Sequence, residues 1–139
     1  MGNETIVKTE MKFEDGKTRA IFQGHPDINM AGLMAVDQAA DAWSPPHLLV
    51  SAVESCLFLT MASVAEKMRI KIIRYSSTAE GILFSPDGTH KEFREIVVRP
   101  RIELANESDR SKIPQLVKIA EEHCYVARSL KTPMRIELE

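Results

Sequence analysis

The sequence predicts an α+β fold in which one long buried helix is flanked by antiparallel hairpins. Three features predict it: an apolar helical segment at residues 44–68, period-two alternation on both sides of that segment, and turn residues that join the alternating segments. Strands grouped in hairpins indicate α+β rather than repeated β-α-β units. The expected element order is β-β-(β)-α-β-β-α-β. At 139 residues we expect a single domain over residues 1–139.

The segment at residues 44–68 has the start and the composition of a buried helix in a soluble protein. Ser44 can cap it, and Pro45 and Pro46 fit the first turn, where a missing N–H leaves nothing unpaired. From Leu48 onward apolar residues occur on every side, as in a central helix or a membrane span. Polar side chains leave no clean stretch of ~20 apolar residues, so no membrane partner is expected. The interrupting residues are Ser51, Glu54, Ser55, Thr60 and Ser63.

Before this helix, alternation predicts strands at residues 5–13 and 18–23. The Asp15-Gly16 pair between them tolerates the positive φ angles of a tight hairpin turn. Residues 28–36 are small and apolar and predict a third short strand. A linker at residues 37–43 then leads into the helix.

After the helix, residues 69–84 and 93–104 predict two strands joined by a turn at residues 85–88. Pro100 has no N–H to donate and predicts an edge position or a bulge in the second strand. A second, amphipathic helix is expected to begin at Ser108 or Asp109 and to end near His123. Its apolar positions follow the i, i+3, i+4, i+7 spacing at Ile113, Leu116, Val117 and Ala120. Residues 134–139 alternate as a last strand.

The composition and the net charge favour some classes of protein and partner over others. A hydrophobic content of 44% with 27% charged residues is typical of a globular domain. The net charge of −2 argues against a nucleic-acid or anionic-membrane partner. Residues 1–11 do not form a secretory leader, so a cytoplasmic location is expected. In that compartment two cysteines are more often reduced thiols or a catalytic pair than a permanent disulfide.

The two cysteines lie 68 residues apart (124 − 56), Cys56 within the long helix and Cys124 at the end of the second helix. Each can be a small core residue, because free cysteine is often buried. His123 beside Cys124 leaves a Cys–His hydrolase open, although nothing links an orienting acid to them. The sequence has no CxxC or CxxH pair and its histidines are scattered, so neither a metal nor a cofactor is expected.

The two cysteine segments resemble the two motifs of the OsmC/Ohr family of hydroperoxide reductases. The first is Ser-Pro-Pro-His-Leu-Leu-Val-Ser-Ala-Val-Glu-Ser-Cys, which ends at Cys56. It is similar to the family's pattern of a small or polar residue, Pro, two variable positions, Leu, a small or apolar run and Cys. The second is His-Cys-Tyr-Val-Ala-Arg-Ser-Leu at residues 123–130, similar to a Cys before a short Ser-containing helix and a last strand. Because the element order also matches, the resemblance covers essentially the whole chain.

The resemblance implies an OsmC-like fold and an intertwined homodimer in which the long helices pack between sheets of both chains. It also implies a peroxidase of oxidative-stress defence that reduces small organic hydroperoxides. The Cys56 thiolate would attack the O–O bond and become a sulfenic acid, Cys124 would resolve it as a disulfide, and an external dithiol would reduce that disulfide. The alternative is a catalytically weakened OsmC-like dimer that binds a small molecule, senses redox state or serves another stress-related role.

Activation of Cys56 requires a cation from outside its own helix. The cysteine lies about three turns from the helix start, beyond the reach of the dipole, and apolar burial disfavours a thiolate. The resemblance implies an arginine of the N-terminal strands, for which Arg19 is the candidate; an exposed strand arginine is the alternative. Pro46, with His47 beside it, stands where the peroxidases carry the glutamate that holds this arginine. Glu54, ~200° from Cys56 around the helix, is expected to be a buried or interfacial carboxylate paired with a basic residue.

Overall fold

The computed structural model describes residues 4–31 and 42–138. The chain divides into two compact units, residues 1–48 and 49–139, and the division falls in the first turn of the long helix. The predicted α+β order is confirmed with a 3₁₀ turn added to it, and the one-turn helix after Cys124 is the short helix that the resemblance implies. The elements are β1 (Glu10–Glu14), β2 (Lys17–Ile21), β3 (Ile28–Met30), α1 (Pro45–Lys67), β4 (Ile72–Phe84), β5 (Glu92–Leu104), the 3₁₀ turn (Glu107–Lys112), α2 (Ile113–His123), α3 (Tyr125–Arg128) and β6 (Met134–Ile136). A single domain stays a prediction.

The first unit contains an antiparallel sheet in the order β1-β2-β3. Asp15 and Gly16 at the β1–β2 turn have φ angles of 53° and 73°, which confirms the predicted hairpin. The first strand begins at Glu10, later than expected, so residues 5–9 precede it. β3 accounts for the start of the predicted strand at 28–36. Residues 32–36 of that prediction, and 37–41 of the predicted linker, lie outside the described residues.

The second unit contains a sheet in the order β4-β5-β6. β4 and β5 form the predicted antiparallel hairpin, but β6 pairs with β5 in parallel. The expected antiparallel pairing is therefore wrong for β6, and this sheet is mixed. The reason is the connection: α2 and α3 carry the chain across before β6, and such a crossover delivers a parallel strand.

Pro100 lies in β5, the middle strand of this sheet, opposite Ser77 of β4. A proline at a central strand is unusual because it removes a donor from the ladder. The β6 pairing involves Ile96 to Val98 of β5 and stops before Pro100. On the side that faces β6, Pro100 therefore lies beyond the paired segment. It occupies a local edge position although β5 is the middle strand of the sheet.

The ends of α1 follow from local sequence. The Ser44 Oγ accepts a hydrogen bond from the His47 N–H at 3.2 Å, which confirms the predicted cap. At the other end, Arg69 takes a left-handed φ of 59°. The Arg69 N–H donates to the Glu66 carbonyl and the Ile70 N–H to the Ala65 carbonyl, the pair of bonds that defines a Schellman motif.

The packing of α1 differs from the all-round burial expected of it. One stripe is buried in the core of the second unit, at Val53, Leu57, Met61 and Ala65, with a spacing of four residues. On another side Leu59 is 65% exposed. By length and composition α1 could also span a membrane, a test that core helices pass as well. One chain of this size has too little surface to cover every side of such a helix.

Candidate functional site

Cys56 lies in the middle of α1, beside the buried stripe rather than within it. Its side chain is half-buried, and it is a free thiol. On the same helix the Thr60 hydroxyl lies near this thiol, with its Oγ1 4.0 Å from the Cys56 sulfur. Thr60 follows at i+4, so the hydroxyl lies on the same face of the helix. The structure therefore presents this thiol at the helix surface.

Cys124 joins α2 to α3 and is fully buried. Its backbone is extended (φ −74°, ψ 94°), because the chain leaves α2 after His123 and starts a new helical turn at Tyr125. The side chain belongs to the core cluster that also holds Leu116 and Ala120 of α2. Like Cys56, it is a free thiol.

The two thiols lie near each other although 68 residues separate them (124 − 56), because Cys56 acts on the pKa of Cys124. Burial raises the pKa of the Cys124 thiol, backbone N–H groups of Ala127 and Val126 oppose that rise, and the side chain of Cys56 and its charge add to it. These effects favour the neutral thiol of Cys124 close to its potential partner. A sulfenic acid formed at Cys56 would lie within reach of this thiol.

A cavity of about 780 Å³ opens at Cys56. One wall is a continuous face of α1 made of small and apolar side chains with a lysine at its end; the other wall comes from α2 and α3. The lining residues are Ala52, Ser55, Cys56, Leu59, Thr60, Ser63, Val64, Lys67, Ile119, His123, Tyr125 and Val126. A volume of this size admits a small organic molecule to the thiol.

Arg19 lies on β2, as the sequence predicts. Its guanidinium forms an ion pair with Glu14, with Nη2 and Oε2 3.8 Å apart, and its side chain is 39% exposed. The Nε atom is buried and has no hydrogen-bond partner in the part of the chain that the structure describes. Because Arg19 belongs to the first unit and Cys56 to the second, its role as the activating cation stays a prediction.

The start of α1 has no acidic residue in its first turn. Ser44 and His47 are linked there instead, with the Ser44 Oγ and the His47 Nδ1 2.6 Å apart. Pro46 thus leaves this turn without the carboxylate that the resemblance implies. His47 is exposed and engaged with the helix cap.

Among the described residues Glu54 has a hydroxyl partner, and its expected pairing with a basic residue stays a prediction. The Ser77 Oγ of β4 donates a hydrogen bond of 2.6 Å to its Oε2. Nearby, burial raises the pKa of Tyr75, the Ser77 hydroxyl opposes this, and the Glu54 charge adds to it. A carboxylate between a helix and a sheet can be satisfied by a serine as well as by a cation, which the sequence alone did not reveal.

The cavity residues missing from the predicted site include Thr60, Ser63 and Lys67. They follow Cys56 at i+4, i+7 and i+11, so helical spacing could have placed them on its face. The sequence pointed to His123 only because it is adjacent to Cys124. In the structure it lines the same cavity as Cys56. Within residues 4–31 and 42–138, no group of three or more metal-ligating side chains comes together.

Comparison with known proteins supplies the family. The model of the OsmC-like protein family matches residues 38–139. The uncharacterized protein YmaD of Bacillus subtilis is 24% identical over 107 residues, which cover 75% of this chain and 71% of that protein.

Solved structures show the same fold. An OsmC-like protein of unknown function from Vibrio cholerae superposes with a TM-score of 0.81 at 21% identity, covering 96% of this chain and 100% of the other. The organic hydroperoxide resistance protein OhrB of Bacillus subtilis gives a TM-score of 0.72 at 17% identity, covering 97% and 98%. The family match spans most of the chain and includes both cysteine segments. This chain belongs to the OsmC-like protein family.

Proposed function

We propose that this protein is a thiol-dependent reductase of small organic hydroperoxides in oxidative-stress defence. Cys56 is the attacking thiol and Cys124 the resolving thiol. The observation that carries the proposal is a free Cys56 thiol that lines an open cavity, with the buried free thiol of Cys124 near enough for Cys56 to raise its pKa. Membership of the OsmC-like family is consistent with a redox or stress role.

The proposed cycle has two steps at the thiol pair. The Cys56 thiolate attacks the terminal oxygen of R–O–O–H; an S–O bond forms, the O–O bond breaks, and RO⁻ leaves and is protonated to the alcohol. Cys124 then attacks the sulfenic sulfur, an S–S bond forms, and water departs. An external dithiol reduces the disulfide. The sum is ROOH plus two thiol hydrogens giving ROH, water and one disulfide.

Arg19 is the activating cation in this proposal. Its Nε lacks a hydrogen-bond partner among the described residues, and its contact with Glu14 is long, so the guanidinium keeps donors for another group. A neighbouring cation lowers the pKa of a cysteine and raises the thiolate fraction. Removing Arg19 would leave the thiol pair intact and slow the first step.

The proposal also includes a cytoplasmic homodimer. Apolar side chains are exposed on α1 at Leu59 and on β1 at Met11 and Phe13. Exposed apolar surface of this kind marks association surfaces. A second copy of the chain would cover side chains that one copy leaves in water.

Titration with cumene hydroperoxide tests the proposed reaction. One equivalent per chain is expected to remove both free thiols within seconds and to yield cumyl alcohol. The variant Cys56→Ser should lose reactivity altogether, whereas Cys124→Ser should lose one thiol and accumulate a sulfenic acid that dimedone traps. If both thiols of the unaltered protein survive excess hydroperoxide, the proposal is refuted.

One observation favours a second candidate function. The first turn of α1 lacks a carboxylate, and Pro46 stands where the resemblance implies one. A weakened family member would keep the cavity and use it to bind a small molecule, with the thiols as a slow redox sensor. Disulfide formation that takes minutes to hours at micromolar hydroperoxide would favour this second candidate over the enzyme.

A further inference from the structure

We propose that His123 is the proton-transfer residue of the thiol pair: it protonates the alkoxide released at Cys56 and accepts the proton of the Cys124 thiol. This inference rests on the proposed function and names a residue that the cysteine chemistry alone does not supply. It assigns the histidine to both steps of the cycle.

The position of His123 carries the inference. It is the last residue of α2 and directly precedes Cys124, so its backbone is fixed beside the resolving thiol. Its side chain lines the same cavity as Cys56. The imidazole is exposed to solvent and shares with the Cys56 side chain the space that a bound hydroperoxide would enter.

Both steps need a proton carrier. Cleavage of the O–O bond releases RO⁻, a strong base whose departure is assisted by a proton donor. In the second step Cys124 must lose its proton before it attacks, and burial holds it as a neutral thiol. A base is therefore needed in this step and an acid in the first. Histidine exchanges protons near neutral pH and can serve in both.

Other charged or titratable groups surround His123. Lys67 of α1 and Tyr125 of α3 share the cavity. His123 also lines a second cavity. The remaining lining residues of that cavity are Lys118, Glu121, Glu122 and Arg128. These two acidic and two basic residues balance in charge.

The proton balance closes over the two steps. Protonated His123 gives its proton to RO⁻, which leaves as ROH, and the imidazole becomes neutral. Neutral His123 takes the proton of the Cys124 thiol. When the Cys124 thiolate displaces hydroxide from the Cys56 sulfenic acid, His123 returns the proton and water departs. Solvent then reprotonates the imidazole for the next turnover.

The test is His123→Gln against the matched control His90→Gln. His90 lies in the β4–β5 turn, where it pairs with Asp87, and does not line the cavity. Stopped-flow measurement of thiol loss and of disulfide formation, from pH 5.5 to 9, should show about a 100-fold slower cycle for His123→Gln near pH 7. The part of the pH dependence of the rate that is due to His123 should vanish. Added imidazole should restore part of the rate. His90→Gln should match the unaltered protein.

His123→Asn serves as a second variant, and thermal unfolding of all variants shows that they fold. Rates within about twofold of the unaltered protein at every pH, or no rescue by imidazole, would overturn the role of His123 while leaving the thiol cycle standing. If the unaltered protein itself does not react with hydroperoxide, the proposed function fails first, and this inference fails with it.

Discussion

Gly81 of β4 lies against a side chain of α1 and a side chain of β5, and Gly81→Ala tests that packing. A Cβ at this position would lie 2.5 Å from Cε1 of Phe93 and 2.6 Å from Cγ2 of Val50. Val50 belongs to α1 and Phe93 to β5. The backbone of Gly81 has no unusual φ, so the expected effect is steric alone.

The magnitude follows from these distances. Carbon atoms in ordinary contact are about 3.5–4.0 Å apart, so each neighbour must move by roughly 1 Å. Val50 is branched at Cβ and has little rotamer freedom to yield. Overpacking of this kind costs about 1–3 kcal/mol. For a chain of this size that corresponds to a decrease in Tm of about 4–12 °C.

Urea unfolding followed by circular dichroism measures the loss, and a double-mutant cycle identifies its source. Phe93→Ala alone removes the ring that blocks the new methyl group. In Gly81→Ala/Phe93→Ala the methyl group gains that space, so the double variant should be at least about 0.5 kcal/mol more stable than the sum of the single effects. Unchanged stability of Gly81→Ala, or strictly additive effects, would refute the packing described at this site.

Three further predictions concern α1 and the β4–β5 turn. Leu57→Ala empties a fully buried position and should cost about 2–5 kcal/mol of unfolding free energy, whereas Ile73→Ala, at a 54% exposed position of β4, should cost much less; equal losses would contradict the assigned burial. Arg69→Gly should stabilise the protein by about 1 kcal/mol in urea unfolding, because the left-handed φ of 59° strains any residue with a Cβ. A loss of stability would contradict the Schellman motif at the end of α1. The side-chain hydrogen bond with His90 lowers the pKa of Asp87 to about 2, and the backbone N–H groups of His90 and Thr89 contribute to this decrease. The stabilisation by the ionised Asp87 carboxylate is therefore complete above the ordinary pKa of 3.8 and is lost as the pH falls through about 2. NMR titration should place the Asp87 midpoint near 2 and show it rising in His90→Gln; no rise would contradict the pairing.

Features that depend on neighbouring residues were predictable from the sequence. The Ser44 cap, the Asp15-Gly16 hairpin turn and the amphipathic α2 each follow from a few residues and a fixed spacing. Features set by distant parts of the chain were not. The parallel pairing of β6 depends on how α2 and α3 cross the sheet, and no local pattern in residues 134–139 encodes it.

The candidate site shows the same division. Each cysteine could be assigned to a helix or helix end from local sequence, but their proximity depends on the packing of α2 and α3 against α1. Only the family resemblance suggested that Cys56 and Cys124 act together. The Ser77 partner of Glu54 was missed because the two residues lie on different elements, 23 positions apart (77 − 54). The cavity face of α1, in contrast, was readable from residues spaced three and four positions from Cys56.

Peptide mapping after exposure to hydroperoxide tests the central claim most directly. The reduced protein is mixed with one equivalent of cumene hydroperoxide per chain, quenched with an alkylating agent within seconds, digested without reductant and analysed by mass spectrometry. The proposed cycle predicts a peptide pair joined by a Cys56–Cys124 disulfide as the main product. Both cysteines recovered as alkylated thiols, or Cys56 oxidised while Cys124 stays free, would contradict it.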